Sequence, residues 1–271
     1  MAVSTRAQVI TRRTYNRPVS DDGKQFETWQ ETVARVIDHQ EWLWQRAAGR
    51  DLTDLEYSEL YDLEQLMLDR KVSMSGRTLW LGGTDVAKTR EASQFNCSFT
   101  HVETIYDVVD VLWLLLQGCG VGFKPIVGTL NGFSKPIKDI KVIRSERTAK
   151  GGNEHNSEWF DEETKTWTLQ VGDSAEAWAK SIGKLIAGKY AADTLVLDFS
   201  QLRPAGERLK GYGWISSGDS AISTAYVAIA TILNGRADSL LTRMDILDIV
   251  NHLGTILSSR RSAEIALFDY G

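Results

Sequence analysis

The sequence is poor in cysteine. Two in 271 residues, Cys97 and Cys119, are too few for a disulfide scaffold and point to a reducing, cytoplasmic setting. It also lacks a basic excess: 31 Lys and Arg against 36 Asp and Glu leave a net charge of −5, which argues against direct nucleic-acid binding. Long apolar runs are missing too. The longest, around Val108–Leu116, is too short to span a bilayer, so no membrane association is expected. The opening MAVSTRAQVITRR has no apolar segment of the signal-peptide kind. What is present is ordinary globular composition, 42% hydrophobic and 25% charged, enough for one or two domains. Nine tryptophans follow no repeat period and read as packing anchors rather than a base-stacking platform.

Two regions follow from the patterning. Residues 1–91 read as a helical domain. From Lys24 to Arg46, Phe26, Trp29, Val33, Val36 and Ile37 recur at helical spacing. Thr53 and Glu56 fit a capping box, and Leu55, Leu60, Leu63, Leu66 and Met67 form the expected buried stripe of a second helix. The arm before them carries Arg12, Arg13 and Arg17, which suit phosphate binding but on base rates are solvated surface. Ser73 and Ser75 stand beside Gly76 in a turn whose hydroxyls suit a ribose or phosphate. Residues 78–81, TLWL, read equally well as a strand entered by that turn.

Residues 92–271 read as α/β. Phe95 to His101 alternates with period two, so Cys97 shares a strand face with Phe95 and Phe99. Thr104 and Asp107 suit a helix start, the apolar run to Leu116 a buried helix, and Gly118 its stop. The run GCGVG at 118–122 reads as a loop whose backbone N–H groups approach a ligand closely. Cysteine strand and glycine loop then face one site; the competing reading is a plain strand–helix–turn with an inert core cysteine. Beyond it lie a polar loop at 145–158, a hairpin at 161–171 with Trp167 and Leu169 inward, and a helix capped by Asp173 and ended by Gly188. His155 reads as a loop histidine with no metal-ligand companions nearby. A buried strand at 194–199, a glycine-punctuated loop, a helix over 221–233 and a helix capped by Thr242 and Asp245 follow. Ser262–Phe268 closes the pattern as an alternating strand.

These pieces, in this order, resemble a known family. RRTYNRP at 12–18, SGRTLWLGGTD at 75–85, FNCSF at 95–99, GCGVGF at 118–123, LVLDFSQLRPAGERLKGYG at 195–213 and RRSAEIAL at 260–267 are similar to segments of the adenosylcobalamin-dependent (class II) ribonucleotide reductases, the monomeric ribonucleoside-triphosphate reductases in particular. Cys119 replaces the family's commoner glycine, and GWISSGD at 213–219 departs from GGTASGP. The family's NPCGE finger loop, PSGT turn and C-terminal cysteine pair do not occur.

The resemblance implies a helical domain followed by the first part of a ten-stranded α/β barrel, incomplete in this chain. It implies Cys97 as one of the two reducing thiols, with Asn96, Ser98, Cys119 and Gly120 near the substrate and Ser73 or Ser75 at the nucleotide. The implied substrate is a ribonucleoside triphosphate. Adenosylcobalamin, a thioredoxin-type dithiol and a deoxynucleotide effector are implied with it. A separate C-terminal reductase chain is the expected partner, completing the barrel along the open edge of the strand holding Ile265 and Leu267. The alternatives are a non-catalytic nucleotide-binding module and, weakened by the absence of C-x-x-C, a thiol–disulfide oxidoreductase.

Overall fold

The computed structural model describes residues 3–20, 23–209, 211–257 and 265–267. They form two compact units, Met1–Phe95 with Lys210–Gly213, and Asn96–Leu209 with Trp214–Gly271.

The first unit is helical: α1 (Thr5–Thr14), α2 (Trp29–Ala48), α3 (Asp54–Leu68), α4 (Gly76–Leu81) and α5 (Asp85–Thr89). Threonines set the starts. Thr28 with Glu31 and Thr53 with Glu56 form reciprocal capping boxes on α2 and α3, each satisfying two otherwise orphaned N–H groups. Val33, Val36, Met67 and Leu79 make the core, with Tyr15 and Trp29 packed against it.

Two expectations fail in this unit. The α3 stripe is narrower than the leucine spacing suggested: Leu60 and Met67 are buried, but Leu55 is 71% and Leu66 40% exposed. Residues 78–81 are not a strand but lie in α4. The Ser75 hydroxyl accepts from Thr78 N–H and starts the helix, and Arg35 takes the carbonyls of Leu79 and Gly82 at its end. Four residues are too few for a period, and the cap decides.

An ionic network fastens the arm. Glu27 accepts from Arg35 at 2.7 Å and from the Arg17 backbone at 3.0 Å. Arg17 donates to the carbonyls of Trp80 and Gly211 and lies over the Trp80 ring. Burial, then repulsion from Arg35, lowers its pKa to about 10 despite Glu27. Arg17 is therefore an internal cross-link and not a phosphate ligand, while Arg12 lies over Phe26. The tip 211–213 is held by Trp80, whose indole N–H donates to the Tyr212 carbonyl at 2.7 Å.

The second unit is α/β, with its strands divided between two sheets. Its strands are β1 (Cys97–Val102), β2 (Gly120–Pro125), β3 (Asp139–Ile143), β4 (Ser157–Asp161), β5 (Thr166–Gln170), β6 (Thr194–Asp198) and β7 (Ile265–Leu267). Its helices are α6 (Ile105–Leu116), α7 (Ala175–Ala187), α8 (Gly218–Gly235) and α9 (Arg243–Gly254). One sheet runs β1-β2-β7, all parallel; the other runs β3-β6-β5-β4, parallel except for the β4–β5 hairpin. Trp167 and Leu169 point inward from that hairpin, fully buried.

β7 pairs with β2, Val121 opposite Ile265 and Phe123 opposite Leu267, and stands last in its sheet among the described strands. The remaining residues of the expected strand Ser262–Phe268 lie outside those described. Asp173 does not cap α7; Ser174 does, and Asp173 instead pairs with Arg203 at 2.9 Å, both nearly buried. The polar loop at 145–158 is well pinned. Ser145 bonds Asp219 and Leu202, Lys150 N–H bonds Glu207, and Asn153 N–H bonds Gln201. A Cβ on Gly152 would fall 1.9 Å from the Gln201 carbonyl oxygen, so glycine is required there.

Candidate functional site

The cysteine strand and the glycine run meet in one parallel ladder. Cys97 pairs with Gly120, Phe99 with Gly122 and His101 with Lys124. Gly120 N–H donates to the Asn96 carbonyl at 2.7 Å and locks the start of that register. Side chains alternate across a strand, and paired residues of a parallel ladder point the same way. Cys97, Phe99 and His101 therefore share one face with Gly120, Gly122 and Lys124. That face is open. Cys97 is exposed, and Phe99 is 48% exposed with its ring edge-on to His101 at 5.8 Å. Beside Cys97 the β2 strand contributes glycines, so no β2 side chain roofs the thiol. Cys97 is therefore not a core cysteine, whereas Cys119 is.

The opposite face is closed. Val102, Val121 and Phe123 are fully buried in the core cluster that also holds Val108, Val111, Leu112 and Leu115 of α6. Thr104 and Asp107 cap α6 in a further capping box. Ser98 belongs to this closed face. Its hydroxyl is buried and lacks a hydrogen-bond partner, so it is turned away from Cys97. Leaving such a group unpaired costs roughly 1–3 kcal/mol, and no compensating contact is evident.

The run GCGVG is mostly strand, not loop. Gly118, at φ 85°, is the left-handed residue that ends α6: its N–H reaches the Leu115 carbonyl, and Cys119 N–H reaches that of Leu114. This is a Schellman motif, in which the residue after the glycine packs inward. Cys119 does so, 2% exposed in the core cluster. Its side chain is not on the open face, and neither cysteine forms a disulfide. Of the expected substrate-side residues, the second unit brings Cys97 and Gly120 together, with Asn96 adjacent through its backbone, and turns Ser98 and Cys119 inward.

Ser73 and Ser75 belong to the first unit. Ser73 is exposed and donates to the Met74 carbonyl, whereas the Ser75 hydroxyl is committed to capping α4 and shares a 3.0 Å hydrogen bond with Thr78. His155 lies in the pinned loop, its N–H on the Asn153 side chain. Among the described residues no three His, Cys, Asp or Glu side chains converge as a metal site. No described helix is long and apolar enough to cross a membrane.

Comparison with known proteins finds similarity to ribonucleotide reductases. Residues 3–84 match the ribonucleotide reductase alpha domain, and residues 138–233 match the insertion domain of B12-dependent ribonucleotide reductase. The chain is 28% identical over 303 residues to the adenosylcobalamin-dependent ribonucleoside-triphosphate reductase of Lactobacillus helveticus and 29% identical to that of Lactobacillus gasseri. Each alignment covers 96% of this chain and 40% of the relative. A crystal structure of a B12-dependent (class II) ribonucleotide reductase matches with a TM-score of 0.74 at 23% identity, over 96% of this chain and 41% of that one. The chain is similar, over most of its length, to the N-terminal part of class II, adenosylcobalamin-dependent ribonucleotide reductases. It spans about 40% of the length of the curated relatives it matches.

Three pockets of the first unit, of about 280, 340 and 480 Å³, are small for a corrin ring, and none of the three is lined by Cys97. None of these three pockets fits the corrinoid that the B12-dependent relatives use.

Proposed function

We propose that this chain supplies the N-terminal part of the catalytic subunit of a ribonucleoside-triphosphate reductase, with Cys97 as one of its two reducing thiols. The observation that carries the reading is the exposed Cys97 thiol on the uncovered face of a parallel ladder, beside Gly120. Parallel sheets are normally covered on both faces, so a bare one marks a surface meant to receive something.

Reduction at the ribose 2′ carbon replaces hydroxyl by hydrogen and releases water. Two thiols deliver two electrons and two protons and close to a disulfide, which a thioredoxin-type dithiol reopens. Cys97 is accessible enough to enter such a pair. The second thiol, the thiyl cysteine and the corrinoid site come from the part of the enzyme that the longer relatives carry, supplied in the same polypeptide or by a separate chain. On this reading Asn96 and Gly120 approach the substrate through their backbones, and Ser73 and Ser75 remain nucleotide-side residues. Ser98 and Cys119 support the site from beneath.

The test is deoxynucleotide formation from a ribonucleoside triphosphate with adenosylcobalamin and a dithiol, using the chain assembled with the rest of a class II catalytic domain. Turnover supports the proposal; a stable assembly that binds nucleotide without turnover favours a binding module instead.

A further inference from the structure

The end of α3 carries an unusual residue in an unusual place. The helix closes in a Schellman motif: Arg70 N–H reaches the Met67 carbonyl, and Lys71 N–H that of Leu66. The left-handed residue of such a motif is usually glycine, because a Cβ is strained there. Here it is Arg70, at φ 57°. Non-glycine residues held in this region concentrate at ligand sites, where strain accompanies function.

The Arg70 side chain is also underused by the protein. Its guanidinium lies 4.4 Å from the centre of the Trp29 ring, and Nη1 donates to the Thr11 hydroxyl at 3.0 Å. Nε and Nη2 have no acceptor among the described residues, and no carboxylate there pairs with Arg70. Arg70 lines a cavity of about 280 Å³ formed by α1, α2 and the segment after α3. Tyr15, Lys71 and Ser73 also line it. The Tyr15 hydroxyl has no hydrogen-bond partner among the described residues, and the exposed Lys71 ammonium is 2.9 Å from the Asp69 carboxylate, the acid nearest in sequence.

We propose that this cavity binds the phosphate groups of a small phosphorylated ligand. A planar guanidinium preset by stacking offers two parallel donors to phosphate oxygens. Tyr15 and Ser73 add hydroxyls, and Lys71 adds a second cation at the mouth. The cavity volume suits an oligophosphate chain better than a whole nucleotide, whose base would stay outside. The proposal shares Ser73 with the reductase reading, but phosphate binding by the first unit can be read without any turnover.

Calorimetric titration of the 271-residue chain with inorganic phosphate, tripolyphosphate and a nucleoside triphosphate separates the sources of the phosphate. Tripolyphosphate is expected to bind most tightly, or equally with the nucleotide; a nucleotide preference above about tenfold assigns the ligand as nucleotide. Arg70→Gly removes the guanidinium while giving the backbone the residue it prefers. It should fold with an unchanged or raised Tm and bind phosphate at least about tenfold more weakly. Arg70→Gln keeps most of the side-chain volume without the charge and should lose affinity equally, which keeps the comparison open if the glycine variant folds poorly. If none of the three ligands binds, or both variants bind as tightly as the parent, the proposal is wrong. A lowered Tm with unchanged phosphate affinity would make Arg70 a purely structural cation.

Discussion

The two sheets of the second unit are built differently, and the difference separates a core from a surface. In the four-stranded sheet the central strands β5 and β6 are buried or half-buried at every position, Trp167, Leu169, Leu195 and Leu197 completely. In the three-stranded sheet, β1 alternates exposed and covered residues along its length. A parallel strand with one bare face leaves apolar and reactive groups such as Phe99 and Cys97 in water, which a purely structural sheet avoids. One sheet is core; the other presents a surface.

The contrast is sharpest between the two cysteines. Alkylation of the native chain should modify Cys97 rapidly and Cys119 only through global unfolding, a rate difference on the order of a thousandfold or more. Mass mapping of the labelled peptides checks this, and comparable rates would collapse the distinction between the faces. Aromatic truncations probe the same two sides. Phe123→Ala, on the closed face, should cost roughly 3–5 kcal/mol in urea unfolding, whereas Phe99→Ala, on the open face, should cost under about 1.

In the first unit the stakes are electrostatic. Glu27→Gln breaks a nearly buried pair whose side chains retain 10% and 16% exposure; roughly 2–3 kcal/mol should be lost, below the fully buried figure because some solvent screening remains. Burial pushes the Glu27 carboxyl up, but hydrogen bonds from Arg35 and the Arg17 backbone outweigh it and hold the pKa below the ordinary value. Its stabilisation is thus present at neutral pH and vanishes only as pH falls through that depressed value.

A smaller effect, in a separate pH window, belongs to His39. It is 2% exposed with Nδ1 unpartnered, and burial, then Lys88 and Arg35, lower its pKa. The unfolded chain takes this proton near pH 6.5 and the folded one resists it. Stability should fall as pH drops below about 6.5, by at most about 1.4 kcal/mol per unit. His39→Gln should flatten that slope in pH-dependent thermal melts; an unchanged slope would assign it to other groups.

Local rules made much of this legible. The capping boxes at Thr53–Glu56 and Thr242–Asp245 stand as spaced in the sequence, and the alternation around Cys97 gave the strand and the face shared with Phe99, but not with Phe95, which precedes β1. What failed depended on partners distant in sequence. Residues 78–81 are helical because of Ser75 and Arg35; Leu55 and Leu66 are exposed because the first unit offers them no partner surface. The glycines at 118–122 looked like a ligand loop, yet only the pairing with β1 shows Gly118 as a helix end and Gly120 as a strand residue. Arg70 gave no signal at all, since the usual marker of its conformation is a glycine that is absent.

The central claim is that the open face makes Cys97, and not Cys119, the working thiol. Multiple-turnover deoxynucleotide formation should be measured in the assembled reductase for Cys97→Ser and Cys119→Gly, with a dithiol as reductant. The account predicts that Cys97→Ser loses sustained turnover while its fold is intact, because a hydroxyl cannot close the disulfide, and that Cys119→Gly keeps activity with a stability loss of about 1 kcal/mol from the vacated core position. A Cys97→Ser enzyme that turns over normally, beside an inactive and folded Cys119→Gly, would contradict it.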